Sequence, residues 1–231
     1  MGSRKNFDIK AYLVVGPENT LGRDPVEIIR AAIEGGFTFV QIRSKEASAR
    51  ELIHLTCRTA QLLEEMGVAE EVSLVVDDRL DVVLAAREAG ARVDGIHIGQ
   101  TDIPASVCRK YLGPDAIVGI SAATQDLFHY VQYEDVADLD YFGAGPLRYT
   151  ETKPDCGLDE EGNFRSRSLE ELTELARLSS LPVVVGGGVK LADIEDLRAT
   201  GVDGFFVVSP VAGAEDPHGA ARDLVDAWER R

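Results

Sequence analysis

The sequence predicts an α/β fold, a single-domain (β/α)8 TIM barrel spanning residues 1–231 with its active site at the C-terminal ends of the strands. Eight short β-branched runs alternate with longer segments of helical apolar spacing, which gives one unit per about 29 residues. The runs are continuously apolar rather than alternating, as expected when both faces of a parallel strand are buried. A doubly wound open sheet is the alternative, because the number of strands alone does not establish closure.

The predicted strands are the runs in which β-branched and aromatic residues dominate. They are Ala11–Val15, Phe37–Arg43, Val72–Asp78, Gly95–Gly99, Ala116–Ser121, Tyr141–Gly145, Pro182–Gly187 and Gly204–Ser209. Two helix starts are marked by Asp24-Pro25 and Asp216-Pro217, in which an N-cap carboxylate precedes a proline at the first helical position. Helix ends are expected at four glycine sites, Gly35-Gly36, Gly67, Gly90 and Gly201.

The composition excludes several classes of partner. With 40 acidic and 24 basic residues the formal net charge is −16, so the surface repels nucleic acid and we expect no such partner. No apolar run approaches the roughly 18 residues of a membrane span, and we expect no membrane partner. Cys57, Cys108 and Cys156 are odd in number and widely spaced, which argues against disulfides and structural zinc. We therefore expect a cytoplasmic protein, and the sequence leaves a homo-oligomer open.

Polar residues follow the predicted strands, where barrel enzymes carry their chemistry. Gln41, Arg43 and Lys45 alternate along the end of the second strand, so they face one side and suit one anion. Lys153, after the sixth strand, would add another cation, and Ser121 ends the fifth strand. A solvated strand end is the alternative for any one of these residues. Taken together, they favour an anion site.

Carboxylates follow the third and fourth strands. Asp78 and Asp102 offer the hard oxygen ligands that Mg²⁺ prefers, and we expect Mg²⁺ as the cofactor. Helix capping is the alternative, since Asp77, Asp78 and Asp81 surround a helix start and Asp102 stands two residues before Pro104. For Asp81 capping is our interpretation.

Two further loops suit a phosphate monoester. Gly186, Gly187 and Gly188 follow the seventh strand, and Val208 and Ser209 follow the eighth. Backbone N–H groups of a glycine turn and of a helix start attract anions in such barrels. The alternative is that the glycines only permit a tight turn. Because two adjacent loops agree, we expect small phosphorylated substrates.

Two further features of the sequence are a long segment without periodicity and a histidine inside a predicted strand. The segment from Leu147 to Arg167 is about twenty residues without clear periodicity, and loops of that length are often lids or binding loops. A disordered surface insertion is the alternative. His97 lies inside a predicted strand and is interpreted as a packed histidine of the barrel interior.

Seven segments at these strand ends carry a family resemblance. They are QIRSK (41–45), DDRLDVVLA (77–85), GIHIGQTD (95–102), GISAAT (119–124), GPLRYTETK (145–153), GGG (186–188) and VVS (207–209). In this order, over nearly the whole chain, they resemble the thiamine-phosphate synthase family. The patterns QxRxK and TxTK are specific together, although neither is convincing alone.

The resemblance implies a reaction. The family joins hydroxymethylpyrimidine pyrophosphate to hydroxyethylthiazole phosphate with Mg²⁺, giving thiamine phosphate and pyrophosphate. The chemistry is dissociative: the bond from the pyrimidine methylene carbon to oxygen breaks, and the thiazole nitrogen captures the resulting carbocation. A leaving pyrophosphate needs cations and a metal rather than a nucleophilic side chain.

The resemblance also implies roles for individual residues. Arg43, Lys45, Ser121 and Lys153 should hold the pyrophosphate, with Mg²⁺ on Asp78 and Asp102 and with Asp77 close by. Gln41 should contact the pyrimidine. The thiazole phosphate should be bound by the loops after the last three strands, through Thr150, Thr152, Gly187, Gly188, Val208 and Ser209.

Three positions depart from the family pattern. Asp77 stands where the family usually has asparagine, Ala123 where it usually has histidine, and Arg148-Tyr149 where proline is common before Thr150. An extra carboxylate beside a pyrophosphate repels it unless it is protonated or bound to metal. Two alternatives to the transferase therefore stay open, a related thiazole tautomerase and a phosphate-ligand binder without catalysis.

Overall fold

A computed structural model of the chain describes residues 6–121, 127–150, 157 and 163–230. Eight parallel strands form a closed barrel in sequence order. They are β1 (Ala11–Val15), β2 (Phe39–Ile42), β3 (Ser73–Asp77), β4 (Gly95–Gly99), β5 (Ile117–Ser121), β6 (Tyr141–Ala144), β7 (Val183–Val185) and β8 (Gly204–Val207). Leu13 of β1 is paired with Val40 of β2 on one side and with Val207 of β8 on the other. The TIM barrel is thus confirmed, and the open sheet is excluded.

Helices follow every strand and cover the outside of the barrel. They are α1 (Pro25–Glu34), α2 (Ala49–Glu65), α3 (Leu80–Glu88), α4 (Ala105–Leu112), α5 (Leu127–Tyr133), α6 (Leu169–Leu178), α7 (Ile194–Ala199), α8 (Ser209–Ala212) and α9 (Pro217–Glu229). Among the described residues no helix is long and apolar enough to cross a membrane.

The predicted helix starts are confirmed by their caps. Asp24 accepts a hydrogen bond from the Val26 N–H (3.1 Å), and Asp216 accepts one from the Gly219 N–H (3.0 Å). Each carboxylate satisfies one of the amide groups that a first helical turn leaves without a partner. Gly35 caps the end of α1, as expected.

Most strands are shorter than their apolar runs. Ala11–Val15 and Gly95–Gly99 are confirmed to the residue, whereas the run 182–187 contracts to Val183–Val185 and the run 37–43 to Phe39–Ile42. Gly187 begins the turn after β7, and Phe37 packs in the core between the sheet and the helices before pairing begins. Burial continues beyond the ladder of hydrogen bonds, so an apolar run overestimates strand length.

The continuous apolar runs fill two separate cores. Leu13, Val40 and their equivalents pack outward against the helices. Tyr12, Phe39 and Tyr141 face inward, with ring centroids 4.5 Å apart between Tyr12 and Phe39 and 5.6 Å apart between Phe39 and Tyr141. These aromatic rings fill the lower part of the barrel interior, which leaves only its upper end for a ligand.

Three aspartates brace the lower end of the barrel in the same way. Asp94, Asp140 and Asp203 directly precede β4, β6 and β8. Each carboxylate accepts a hydrogen bond from a backbone amide of the preceding strand, at 2.8 Å from Leu74 of β3, 2.7 Å from Val118 of β5 and 2.8 Å from Val183 of β7. Asp140 also pairs with Arg109 at 2.5 Å, in a buried ion pair.

We predict that Asp140→Ala lowers the free energy of unfolding by about 3 kcal/mol, because it leaves the buried Arg109 guanidinium and the Val118 amide without this acceptor. Asp140→Asn keeps an acceptor and should cost less. Urea unfolding measures both, and the exposed Asp115→Ala is the control, expected to change stability by under about 0.5 kcal/mol. An Asp140→Ala variant as stable as this control would contradict the bracing role.

Candidate active site

A cavity of about 540 Å³ opens at the carboxyl ends of the strands. Its lining includes many of the residues expected at the site: Gln41, Arg43, Asp77, Ser121, Thr150, Gly187, Gly188, Val208 and Ser209. Lys45, Asp78 and Asp102 do not line the cavity. Thr152, Lys153 and Ala123 are not among the residues that the structure describes. The structure thus brings the expected residues of six different strand ends to one cavity.

One side of the cavity is formed by a close ion pair. Arg43 directly follows β2, and its backbone N–H is held by the Val15 carbonyl at 2.9 Å. Its Nε lies 3.0 Å from Oδ2 of Asp77, the last residue of β3, and the two side chains are only 13% and 11% exposed. Partial burial strengthens this attraction relative to a surface pair. A ligand anion therefore meets Arg43 already engaged by a carboxylate.

Lys45 and Asp78 form a second pair nearer to solvent. The Lys45 ammonium lies 3.1 Å from Asp78 Oδ2, and the lysine side chain is 62% exposed. Burial opposes the lysine charge, but the hydrogen bond and charge of Asp78 outweigh it and raise the pKa of Lys45. Asp78 has a φ of 58°, rare for a non-glycine residue, and its N–H donates to the His97 carbonyl at 2.8 Å. That hydrogen bond fixes the backbone of Asp78 beside β4 and so the position from which its carboxylate projects.

Asp102 has a local role that differs from helix capping. Its Oδ2 accepts a hydrogen bond from the Gly99 N–H at 2.9 Å and so closes the turn after β4. Helix α4 begins three residues later and takes no side-chain cap. The capping alternative is therefore wrong for Asp102. Within the part of the chain that the structure describes, no three potential metal-ligating side chains gather at one point.

The glycine turn after β7 has the tight geometry expected of it. Gly187 and Gly188 have φ values of 79° and 76°, a backbone conformation that residues other than glycine rarely adopt. The Gly187 carbonyl accepts hydrogen bonds from the N–H groups of Leu147 (3.0 Å) and Arg148 (3.1 Å). The turn is thus joined directly to the loop after β6, and both border the cavity together with Ser209 at the start of α8.

Arg148, one of the departures from the family pattern, ties these two loops together. Its guanidinium donates to the Gly188 carbonyl at 2.6 Å and pairs with both carboxylate oxygens of Asp193, at 2.5 and 2.8 Å. Asp193 also accepts from the Lys190 N–H at 2.7 Å. The hydrogen bond from Arg148 holds the pKa of Asp193 below its usual value. Arg148, which lies in the segment that departs from the family pattern, thus fixes the glycine turn.

We predict that this pair stabilises the protein at neutral pH and is lost in acid. Because the pKa of Asp193 is lowered on folding, its contribution is complete above the unfolded-state pKa of about 4 and disappears as pH falls through the folded-state value. Asp193→Asn should cost up to about 1 kcal/mol at pH 7, since the arginine is partly exposed, and clearly less near pH 3. Urea unfolding at both pH values measures this, with the exposed Asp196→Asn as control. An equal cost at both pH values would rule the pair out as its source.

Sequence reasoning missed the polar interior beneath the cavity. Gln41 Nε2 donates to the Tyr12 hydroxyl (2.5 Å), which lies 3.0 Å from the Tyr141 hydroxyl. His97 bonds Tyr141 through Nδ1 and Ser121 through Nε2, both at 2.8 Å. The expectation of an interior histidine is confirmed, since His97 is 8% exposed, but it also lines the cavity. The alternation of side chains along a strand could have identified Tyr12, because Tyr12 and Gln41 both occupy inward-facing positions of their strands.

A closed barrel with its polar cavity at the carboxyl ends of the strands is the arrangement of TIM-barrel enzymes. The family model described as thiamine monophosphate synthase matches residues 11–211. A thiamine-phosphate synthase of Corynebacterium efficiens is 39% identical over 225 residues, covering 97% of each chain, and one of Natronomonas pharaonis is 36% identical over 222 residues, covering 96% of each. The chain belongs to the thiamine monophosphate synthase family.

A solved structure agrees with these matches. The thiamine phosphate pyrophosphorylase from Pyrococcus furiosus is 30% identical to this chain, with a TM-score of 0.77 and 96% of each chain covered. The resemblance expected from the seven strand-end segments is confirmed. The protein is an enzyme, a transferase of thiamine biosynthesis.

Proposed function

We propose that the enzyme transfers the pyrimidinylmethyl group of hydroxymethylpyrimidine pyrophosphate to the nitrogen of hydroxyethylthiazole phosphate. The products are thiamine phosphate and pyrophosphate. The observation that carries the proposal is one cavity bordered both by Arg43 and by the turn at Gly187 and Gly188. One cavity thus offers a cation to a leaving pyrophosphate and backbone amides to a phosphate monoester.

The pyrophosphate end supports a dissociative step. The bond from the methylene carbon to the pyrophosphate oxygen breaks, the electron pair leaves with the oxygen, and the thiazole nitrogen donates its lone pair to the cationic carbon. Arg43 and Ser121 face the cavity, whereas Lys45 is paired with Asp78 outside its lining. We assign Lys153 to the same anion. These groups stabilise charge as it develops on the leaving group, which is where binding accelerates a reaction.

The second substrate is assigned to the loops after β6, β7 and β8. Thr150, Gly187, Gly188, Val208 and Ser209 all line the cavity, and Thr152 would complete the set. The Arg148 contacts with Gly188 and Asp193 support this site, because they hold the turn in one conformation before a ligand arrives. Gln41, at the base of the cavity, is assigned to the pyrimidine.

The balance of positive and negative side chains at the proposed pyrophosphate site supports Mg²⁺ as the cofactor. Among the described side chains, the cations of Arg43 and Lys45 are each paired with a carboxylate, that of Asp77 and that of Asp78, so these four groups together offer a leaving pyrophosphate no net positive charge. Asp78 and Asp102 supply hard oxygens from adjacent loops, and Mg²⁺ commonly takes one or two carboxylates besides water and phosphate. The residues therefore fit the ion, and these two would hold it. When bound, it neutralises charge on the leaving pyrophosphate.

The cytoplasmic location of the enzyme is a further proposal. A phosphorylated small-molecule pair suits a cytoplasmic reaction, and Cys57 and Cys108 are free thiols that suit a reducing compartment.

The direct test is incubation with both substrates while thiamine phosphate and pyrophosphate are measured together. We expect equal amounts of the two products, with Mg²⁺ or Mn²⁺ required and EDTA abolishing turnover. Asp102→Asn should raise the Mg²⁺ concentration needed for half-maximal rate while leaving thiazole phosphate binding nearly intact. Binding of both ligands without either product would refute the transferase, and full activity after exhaustive chelation would refute the metal.

Asp77→Asn tests the charge that this chain adds beside Arg43. The substitution keeps the shape and removes repulsion of order 1–4 kcal/mol, so the KM for the pyrimidine pyrophosphate should fall, most strongly at low Mg²⁺ and low salt. Steady-state kinetics measures this, and the exposed Asp81→Asn is the matched control. Loss of activity would instead identify Asp77 as a metal ligand. An unchanged KM at every Mg²⁺ concentration would show that Asp77 does not act on the substrate.

A further inference from the structure

Five polar side chains cross the barrel interior as one hydrogen-bonded chain. It runs from Gln41 through Tyr12, Tyr141 and His97 to Ser121, with successive distances of 2.5, 3.0, 2.8 and 2.8 Å. These residues come from five different strands, β2, β1, β6, β4 and β5. Ser121, at the cavity end, is assigned above to the pyrophosphate, while Tyr141 lies entirely below the cavity lining.

Glycines make this path possible. In the strand register, His97 of β4 is level with Gly119 of β5, which is level with Tyr141 of β6. A β-carbon at Gly119 would collide with the Tyr141 ring, so only glycine lets the phenol pass over β5 to reach His97. One layer higher, a β-carbon at Gly143 would lie 2.6 Å from Ser121 Oγ and 3.2 Å from the imidazole. Glycines on two strands, Gly119 of β5 and Gly143 of β6, thus leave the space for the hydrogen bonds from His97 to Tyr141 and to Ser121.

The chain has a direction, which follows from its first donor. The Gln41 amide donates to Tyr12, so the Tyr12 hydroxyl is free to donate to Tyr141, and Tyr141 in turn to His97 Nδ1. Burial raises the pKa of both phenols, so both keep their protons. An imidazole that accepts at Nδ1 carries its proton on Nε2 and donates it to Ser121 Oγ.

We infer that His97 is a positioning residue, held by Tyr12 and Tyr141 as the Nε2–H tautomer so that the Ser121 hydroxyl proton is turned into the cavity. Ser121 then meets its ligand as a hydrogen-bond donor, which suits the oxygens of an anion. With the chain reversed, Ser121 would donate to His97 and present only lone pairs to the cavity. The identity of that anion as a leaving pyrophosphate rests on the proposed function.

A phenol with no substrate contact thereby affects catalysis. Tyr141→Phe keeps the ring that fills the barrel but removes the donor that selects the tautomer. His97 can then protonate at Nδ1 and accept from Ser121, which withdraws the donor from the leaving group. Since this interaction strengthens as the leaving group gains charge, kcat should fall by about tenfold with KM changed less than about twofold. A role limited to stability would leave kcat of the folded enzyme unchanged.

The first measurement uses the intact enzyme labelled with ¹⁵N-histidine. The chain has four histidines, and the His97 signals are those lost in a His97→Gln sample. Two-bond ¹H–¹⁵N spectra should show Nε2 protonated and Nδ1 unprotonated in the wild type, with the Nδ1–H form rising in Tyr141→Phe. An Nδ1–H tautomer in the wild type would overturn the inference, whether or not the enzyme turns over.

The second measurement is kinetic. Tyr141→Phe should show the kcat loss, whereas Tyr111→Phe, an exposed residue of α4, should match the wild type. Unaltered kcat in a folded Tyr141→Phe variant would also overturn the inference. If the wild type makes no thiamine phosphate, the proposed function fails on its own. The affinity for inorganic pyrophosphate with Mg²⁺, measured by calorimetry, then replaces kcat and should be about tenfold weaker in Tyr141→Phe than in Tyr111→Phe.

Discussion

Because β1 pairs with β8, alternate residues of every strand point into a narrow interior that side chains must fill. Aromatic rings from Tyr12, Phe39 and Tyr141 fill its lower part, where the Tyr141 ring passes over Gly119, and Gly143 occupies an inward position one layer higher. The cavity exists where the side chains stop. Closure and interior packing therefore place the cavity at the carboxyl ends of the strands.

The same closure places groups of opposite charge side by side in an acidic chain. Arg43 and Asp77 end adjacent strands and meet at 3.0 Å, whereas the turn at Gly187 and Gly188 borders the cavity beside Arg148, which is paired with Asp193. The two anion sites that we propose differ in consequence. One depends on balancing cations against carboxylates, and the other depends on a turn whose shape Arg148 maintains.

Much of the fold could be predicted from the sequence, because strand count, helix caps and glycine positions are local signals. Gln41, Arg43 and the glycine turn were accessible for the same reason, since they stand at strand ends. The path from Tyr141 to His97 was not, because it depends on register across three strands and on the missing side chain of Gly119. The turn closed by Asp102 was missed because proximity to a proline resembles a helix cap.

The central claim is that one cavity at the top of the barrel holds two anions at different strand ends. A crystal structure of the enzyme with pyrophosphate, Mg²⁺ and hydroxyethylthiazole phosphate tests it directly. We predict pyrophosphate within hydrogen-bond distance of Arg43 and Ser121, and the monoester phosphate on the amides of the turn at Gly187 and Gly188. Both anions at one of these places, or either outside the cavity, would contradict it.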